Sequence, residues 1–179
     1  MKHTRTNILL TGRPGIGKTT AIRTIVQNFN PRKVAGFWSA EIRQSGKRVG
    51  FAIETFSGKS GILARIDIDG PRVGKYGVNI EDIDSIIIPE LRLARKLGNY
   101  IIIDEIAKME LYSSQFAIEV EACLDTGRVI GTIQARNHQF LKKIKSRQDV
   151  RLIEITESNR EMIPIIVHKA ILEHFTEGD

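Results

Sequence analysis

The stretch Gly12-Arg13-Pro14-Gly15-Ile16-Gly17-Lys18-Thr19 decides the reading of this sequence. It sets a glycine, four open positions, Gly-Lys and a hydroxyl residue at the spacing of a phosphate-binding loop. The apolar run Asn7-Ile8-Leu9-Leu10-Thr11 precedes it. Residues 19–29 follow, with Ala21, Ile22, Ile25, Val26 and Phe29 at helical spacing. The context is therefore strand, loop, helix, which is what the motif requires. Glycines let the backbone adopt positive φ and come close to a ligand, so that successive N–H groups converge on phosphate oxygens at the positive end of the helix dipole. Lys18 is expected to place a point charge on β and γ oxygens, and Thr19 a hydroxyl on Mg²⁺, while Pro14 stiffens the turn. All eight residues are assigned to binding a nucleoside polyphosphate. The loop fixes binding and leaves the reaction open, because kinases, hydrolases and switches share it.

Downstream of that helix, residues 35–42, 48–56 and 61–68 read as three strands punctuated by SGK, SGKSG and DGP turns, an antiparallel insertion over about residues 43–76. Asn79 is a good helix N-cap with Glu81 and Asp82 in the first turn, and the helical pattern runs on to Leu97, with Pro89 implying a kink or two shorter helices. From there the chain alternates: strand 100–103, helix 114–124, strand 128–133, helix 139–144, strand 151–155, helix 159–175. Alternation of this kind predicts a parallel sheet covered on both faces, and the continuous apolar runs at 8–10 and 101–103 suit strands buried on both sides. The expected fold is α/β and three-layered, in one domain spanning 1–179.

Tyr100-Ile101-Ile102-Ile103-Asp104-Glu105 delivers two acids at the carboxyl end of a strand, where such sheets place their ligands. Asp104 is expected to hold Mg²⁺ opposite Thr19. Glu105, one residue on, points elsewhere and is suited to accept a hydrogen bond from an attacking water, unless it is a helix-start acid paired with Lys108. Lys18 and Glu105 are thus the candidate catalytic groups. Thr132 and Gln134 at the end of strand 128–133 are candidates for fixing the water, and Arg136 or Arg147 for neutralising phosphoryl charge, if that cation does not come from another molecule.

Composition narrows the partners. The 179 residues are 41% hydrophobic and 27% charged, which excludes disordered and collagenous classes. No apolar run approaches the roughly 18 residues of a membrane helix, and no signal-peptide core precedes the glycine loop, so a cytoplasmic protein without membrane association is expected. One cysteine, Cys123, permits no internal disulfide, and the histidines, His3, His138, His168 and His174, lack zinc-site spacing. The net charge of +6 favours polyanions, yet the denser basic stretch from Arg136 to Arg151 reads more simply as a solvated helix face, and no aromatic-interleaved basic motif supports nucleic-acid binding. Trp38 and Tyr76 are the aromatics that could stack on a base.

The segments TGRPGIGKTT, GFWSAEIR, GKRVGFAIET, KYGVN, IIIDEIAKMEL, KIKSRQDV and TESNREMIP span nearly the whole chain. Together they resemble the small single-domain nucleoside-triphosphatases first noted in thermophiles and found in vertebrates as the cancer-related nucleoside-triphosphatase. The resemblance implies a RecA-like core of sheet order 5-1-4-3-2, with strand 128–133 between the loop strand and the Asp104 strand. It also implies Mg²⁺-dependent hydrolysis of several nucleoside triphosphates (ATP, GTP, CTP, UTP and TTP) with little base discrimination, and lower activity on diphosphates; a monomer is expected. Gly12 to Thr19 match the family's triphosphate loop, and Asp104 with Glu105 its second nucleotide segment. The family commonly has Gly at the place of Ala107, and Val or Ile followed by Pro at the place of Ile133-Gln134. Two other functions fit the loop: a nucleoside or nucleotide kinase, which needs an acceptor pocket and an Arg-rich lid, and an RNA- or DNA-linked ATPase.

Overall fold

The structure, a computed structural model, describes residues 7–175. His3 and the outermost ends of the expected domain lie outside that range. Strand β1 (Asn7–Thr11) is wholly buried and pairs in parallel with β8 (Val129–Ile133) on one side and β9 (Val150–Glu154) on the other. Strand β7 (Tyr100–Ile106) lies between β8 and β2 (Val34–Gln44), again in parallel. The parallel part therefore runs β9-β1-β8-β7-β2, which is 5-1-4-3-2 when these five strands are counted alone. The full sheet is larger than expected and mixed. Strands β3 (Lys47–Thr55), β4 (Ser60–Arg65), β5 (Arg72–Val73) and β6 (Tyr76–Val78) continue it antiparallel beyond β2, giving nine strands in the order β5-β6-β4-β3-β2-β7-β8-β1-β9. The antiparallel part begins and ends slightly later than 43–76, because β2 itself extends to Gln44 before turning.

Helices cover both faces. On one, α1 (Lys18–Val26) and α6 (Ile163–Phe175) bury Ile22, Ile25, Ile163 and Val167 against Ile8, Leu10, Ile102 and Ile130. On the other, α3 (Ile88–Leu97), α4 (Ser114–Leu124) and α5 (Gln139–Lys145) bury Leu91, Phe116, Val120 and Leu141 against Leu9, Ile101 and Ile103. Alternate residues of one strand thus serve different cores, which is why the runs at 8–10 and 101–103 are continuously apolar.

Pro89 stands at the start of a second helical piece, in keeping with the expected kink or two shorter helices. The short α2 (Ile80–Asp82) runs into a π-helical turn at Ile83–Ile87, in which the Ile88 N–H reaches back five residues to the Ile83 carbonyl. That places Pro89 in the first turn of α3, where a missing N–H costs nothing. The last helix starts four residues later than its apolar pattern suggests. Asn159 accepts a hydrogen bond from Thr156 N (2.8 Å) and donates to the Glu154 carbonyl (2.9 Å), holding the chain in a turn.

Candidate active site

The glycine loop leaves β1 with Gly12 at φ +150°, where an added Cβ would lie 2.8 Å from the Ile155 carbonyl oxygen, so no side chain fits. It ends at Gly17, φ +108°, which stands at the N-cap of α1 without a side-chain cap, and no acid occupies the first turn. The amides opening α1 are thereby left for an outside acceptor, and an anion satisfies both them and the dipole. Lys18 folds back over the loop and donates to the Gly12 carbonyl at 3.3 Å. Arg13 is directed to the rim, where it pairs with Glu157 beyond β9. A cleft bounded by Gly15, Gly17, Thr20, Thr24, Arg160 and Pro164 opens beside the loop.

Two strands away, β7 carries Asp104 and Glu105 to the same end of the sheet, joined by a cis peptide bond. Asp104 is 1% exposed and accepts from Thr132 Oγ1 at 2.6 Å. Burial raises its pKa, while Thr132, Thr19 and the charges of Lys18 and Arg23 pull the other way. Glu105 Oε1 stands 3.4 Å from Lys18 Nζ, within ion-pair range. Burial raises the Glu105 pKa as well, offset mainly by Lys18. Lys108, the alternative partner, is exposed. Lys145, expected on a solvated face, is partly buried at the end of α5 and interacts electrostatically with Glu105.

Six buried side-chain polar atoms among the described residues lack a hydrogen-bond partner, and five of them gather here: Thr11 Oγ1, Asp104 Oδ2, Glu105 Oε1, Glu110 Oε2 and Gln134 Oε1. All sit at the carboxyl ends of β1, β7 and β8 or in the segments leaving them. Buried oxygens in protein interiors are nearly always satisfied, so a concentration of orphans marks a place built for something else to bind. Every one is a hard oxygen. With the Thr19 hydroxyl, the free Asp104 oxygen suits Mg²⁺, which takes few protein oxygens and completes its shell with phosphate and water.

Of the other residues singled out from the sequence, Arg147, His138, Trp38 and Tyr76 have structural contacts of their own. Arg147 is held by Asp149 and Asp125, at 2.7 Å to each. Arg136 is exposed. His138 Nδ1 accepts from Phe140 N at 3.2 Å and so caps α5. Trp38 donates to Glu54 at 2.8 Å, packs against Phe56 and lies under the Arg23 guanidinium. Tyr76 is buried against Phe51, with its hydroxyl accepting from Arg48. Glu110 is the site group that sequence reasoning missed. It lies inside the quoted IIIDEIAKMEL segment, but an acid one position before Leu111-Tyr112 carries no sign of being buried.

A parallel strand entering a glycine loop and an uncapped helix, with a lysine beside two acids from a neighbouring strand, defines a nucleotide-binding α/β domain. Residues 7–168 match the NTPase family, and the chain belongs to that family. It is 47% identical over 161 residues to the nucleoside-triphosphatase THEP1 of Thermotoga petrophila, covering 87% of each chain. It is 36% identical to the human cancer-related nucleoside-triphosphatase, covering 90% of this chain and 94% of that protein. In three dimensions it is similar to the crystal structure of THEP1 from Aquifex aeolicus, with a TM-score of 0.83 at 35% identity over 90% of this chain and 96% of that one.

Proposed function

We propose that the protein is a Mg²⁺-dependent nucleoside-triphosphatase that cleaves the β-γ anhydride of ATP, GTP, CTP, UTP and TTP with little base discrimination, on a RecA-like core. The names of its relatives support the activity. The observation that carries the site is the convergence of Lys18, Asp104 and Glu105 on one cluster of unpartnered buried oxygens.

The loop amides and Lys18 bind the β and γ phosphates and stabilise the charge that spreads over the equatorial oxygens during transfer. Thr19 and Asp104 would hold Mg²⁺, which would supply further neutralisation of phosphate charge. Asp104 is kept in one orientation by Thr132, leaving its other oxygen for that role. Glu105 accepts a hydrogen bond from a water and aligns it with the γ phosphorus. The water oxygen bonds to phosphorus as the bond to the β-γ bridging oxygen breaks. A nucleoside diphosphate and inorganic phosphate leave, and the water's proton passes through Glu105 toward solvent. Lys18 lies within reach of both Glu105 and the loop, so a phosphate held by the loop competes with Glu105 for its ammonium and leaves Glu105 to the water.

Separating binding from turnover tests the assignment. Glu105→Gln is expected to bind ATP with a Kd within a few-fold of wild type while kcat falls about 100-fold or more, the usual scale for a lost general base. Lys18→Ala is expected to lose binding and turnover together. Unchanged hydrolysis by Glu105→Gln would remove Glu105 from the reaction.

A further inference from the structure

The phosphate loop has two open flanks that differ from the chamber at its head. In the sheet order β7-β8-β1-β9, Asp104 and Glu105 lie on one side of β1 and the segment that follows β9 on the other. A γ phosphate beside Glu105, with its neighbour on the loop amides, therefore sends the rest of the substrate toward residues 154–164. Two clefts open there, and the buried Ile16 lines both. One is bordered by Arg13, Glu157 and Ser158, the other by Thr20, Thr24 and Arg160.

The polar side chains bordering these clefts are paired with one another or open to water. Arg13 and Glu157, 67% and 73% exposed, form an ion pair. Thr156 and Ser158 share a hydrogen bond of 2.9 Å, and Thr24 Oγ1 donates to the Thr20 carbonyl at 3.1 Å. Arg160 Nε lies 3.2 Å from the Glu161 carboxylate, and both residues are exposed. Among the described residues, no buried polar atom without a partner belongs to the lining of either cleft, whereas five gather at the carboxyl ends of β1, β7 and β8. A site rejects a truncated substrate strongly when the missing group leaves a buried donor or acceptor of its own unpaired. Losing the nucleoside strands no such group here. Solvated, mutually paired side chains also have little binding energy to lend to the reacting end of a substrate.

We propose that the same site hydrolyses inorganic tripolyphosphate, releasing pyrophosphate and inorganic phosphate. This rests on the reading of the site as a triphosphatase in which Lys18 binds phosphate and Glu105 orients the water. The water oxygen bonds to a terminal phosphorus as the bond from that phosphorus to its bridging oxygen breaks. Pyrophosphate leaves with the electron pair, and the water's proton passes through Glu105 toward solvent. The far end of tripolyphosphate carries a negative charge where a nucleotide carries its ester, and Arg13 and Arg160, one in each cleft, complement that charge. The nucleoside adds contact with exposed cleft walls, which is felt in KM rather than in kcat.

Steady-state assays with tripolyphosphate and Mg²⁺, following phosphate and pyrophosphate together and set beside ATP, test this. Wild type is expected to form the two products in equal amounts, with kcat within about tenfold of that for ATP and a higher KM. Tripolyphosphate is expected to inhibit ATP hydrolysis competitively, and both activities are expected to fall together in Lys18→Ala and in Glu105→Gln. If Lys18→Ala does not fold, Glu105→Gln and the competition decide. A saturated kcat for tripolyphosphate more than tenfold below that for ATP overturns the proposal and leaves the triphosphatase reading standing. Competitive inhibition without turnover overturns it too, since the nucleoside is then required for the chemistry. Tripolyphosphate hydrolysis that persists in Glu105→Gln while ATP hydrolysis is lost places the activity elsewhere and also overturns it. Hydrolysis of neither compound by wild type removes the underlying reading, and this one with it.

Discussion

Glu110 and Cys123 show how burial, more than any neighbouring charge, rewrites the chemistry of a side chain. The Glu110 carboxyl, raised to about 8 in the folded protein against an ordinary value near 4.5, binds a proton in the native state that the unfolded chain releases. Its contribution to stability is therefore fully present below about pH 4.5 and is lost as pH rises from there to about 8. Glu110→Gln removes that dependence. Its melting temperature is expected to match wild type near pH 4.5 and to exceed it progressively toward pH 8.5, and a gap that stays constant across that range contradicts the assignment. Cys123 is fully buried on α4 and its thiol is pushed up to about 12, so it is held as a small hydrophobe with little thiolate. It is expected to react with a thiol reagent only on unfolding. Rapid labelling of the native protein would show that α4 opens easily.

At the scale of elements, the ends of strands matter most, and they were unequally legible. The loop was readable because its spacing is dictated by the geometry of phosphate, by Gly12, where a side chain would meet the Ile155 carbonyl, and by Gly17, whose positive φ L side chains rarely adopt. Asp104 and Glu105 were readable because an apolar run ending in two acids has few structural uses. The antiparallel strands were recognisable from their turns, but their attachment to the same sheet was hidden, since it depends on the start of β2 pairing with β7, a strand distant in sequence. Pro89 marked the start of a second helical piece, α3, as its missing N–H requires, but the π turn that joins α2 to it has no signal in the local sequence. Arg147 looked available as a charge for the phosphoryl group and is instead part of the scaffold, joining Asp125 at the end of α4 to Asp149 at the start of β9. Arg147→Ala is expected to lower stability by about 1 kcal/mol, in the range of partly exposed ion pairs, with kcat within twofold of wild type. A tenfold fall in kcat would return Arg147 to the site.

For the whole molecule, the sheet is a device for bringing three distant segments together. β1 delivers the loop, β8 lies between β1 and β7 and supplies Thr132, and β7 supplies the two acids, so that Lys18 and Glu105 meet across 87 positions of sequence. The antiparallel extension and its helix, α3, add core on the side away from α1, through Ile53, Leu63, Ile87 and Leu91. No helix among the described residues is long and apolar enough to cross a membrane. The positive charge of the chain is distributed over many ion-paired side chains, and it fits the attraction of a polyphosphate without naming the base it carries. The most direct test of this account is phosphate release from ATP, GTP, CTP and UTP with Mg²⁺ by wild type, Lys18→Ala and Glu105→Gln, with the products assayed for transfer to added nucleosides. The account predicts release from all four at rates within about tenfold of each other, lost in both variants, with no phosphorylated nucleoside formed. Negligible release accompanied by transfer to one acceptor, or full release by Glu105→Gln, would contradict it.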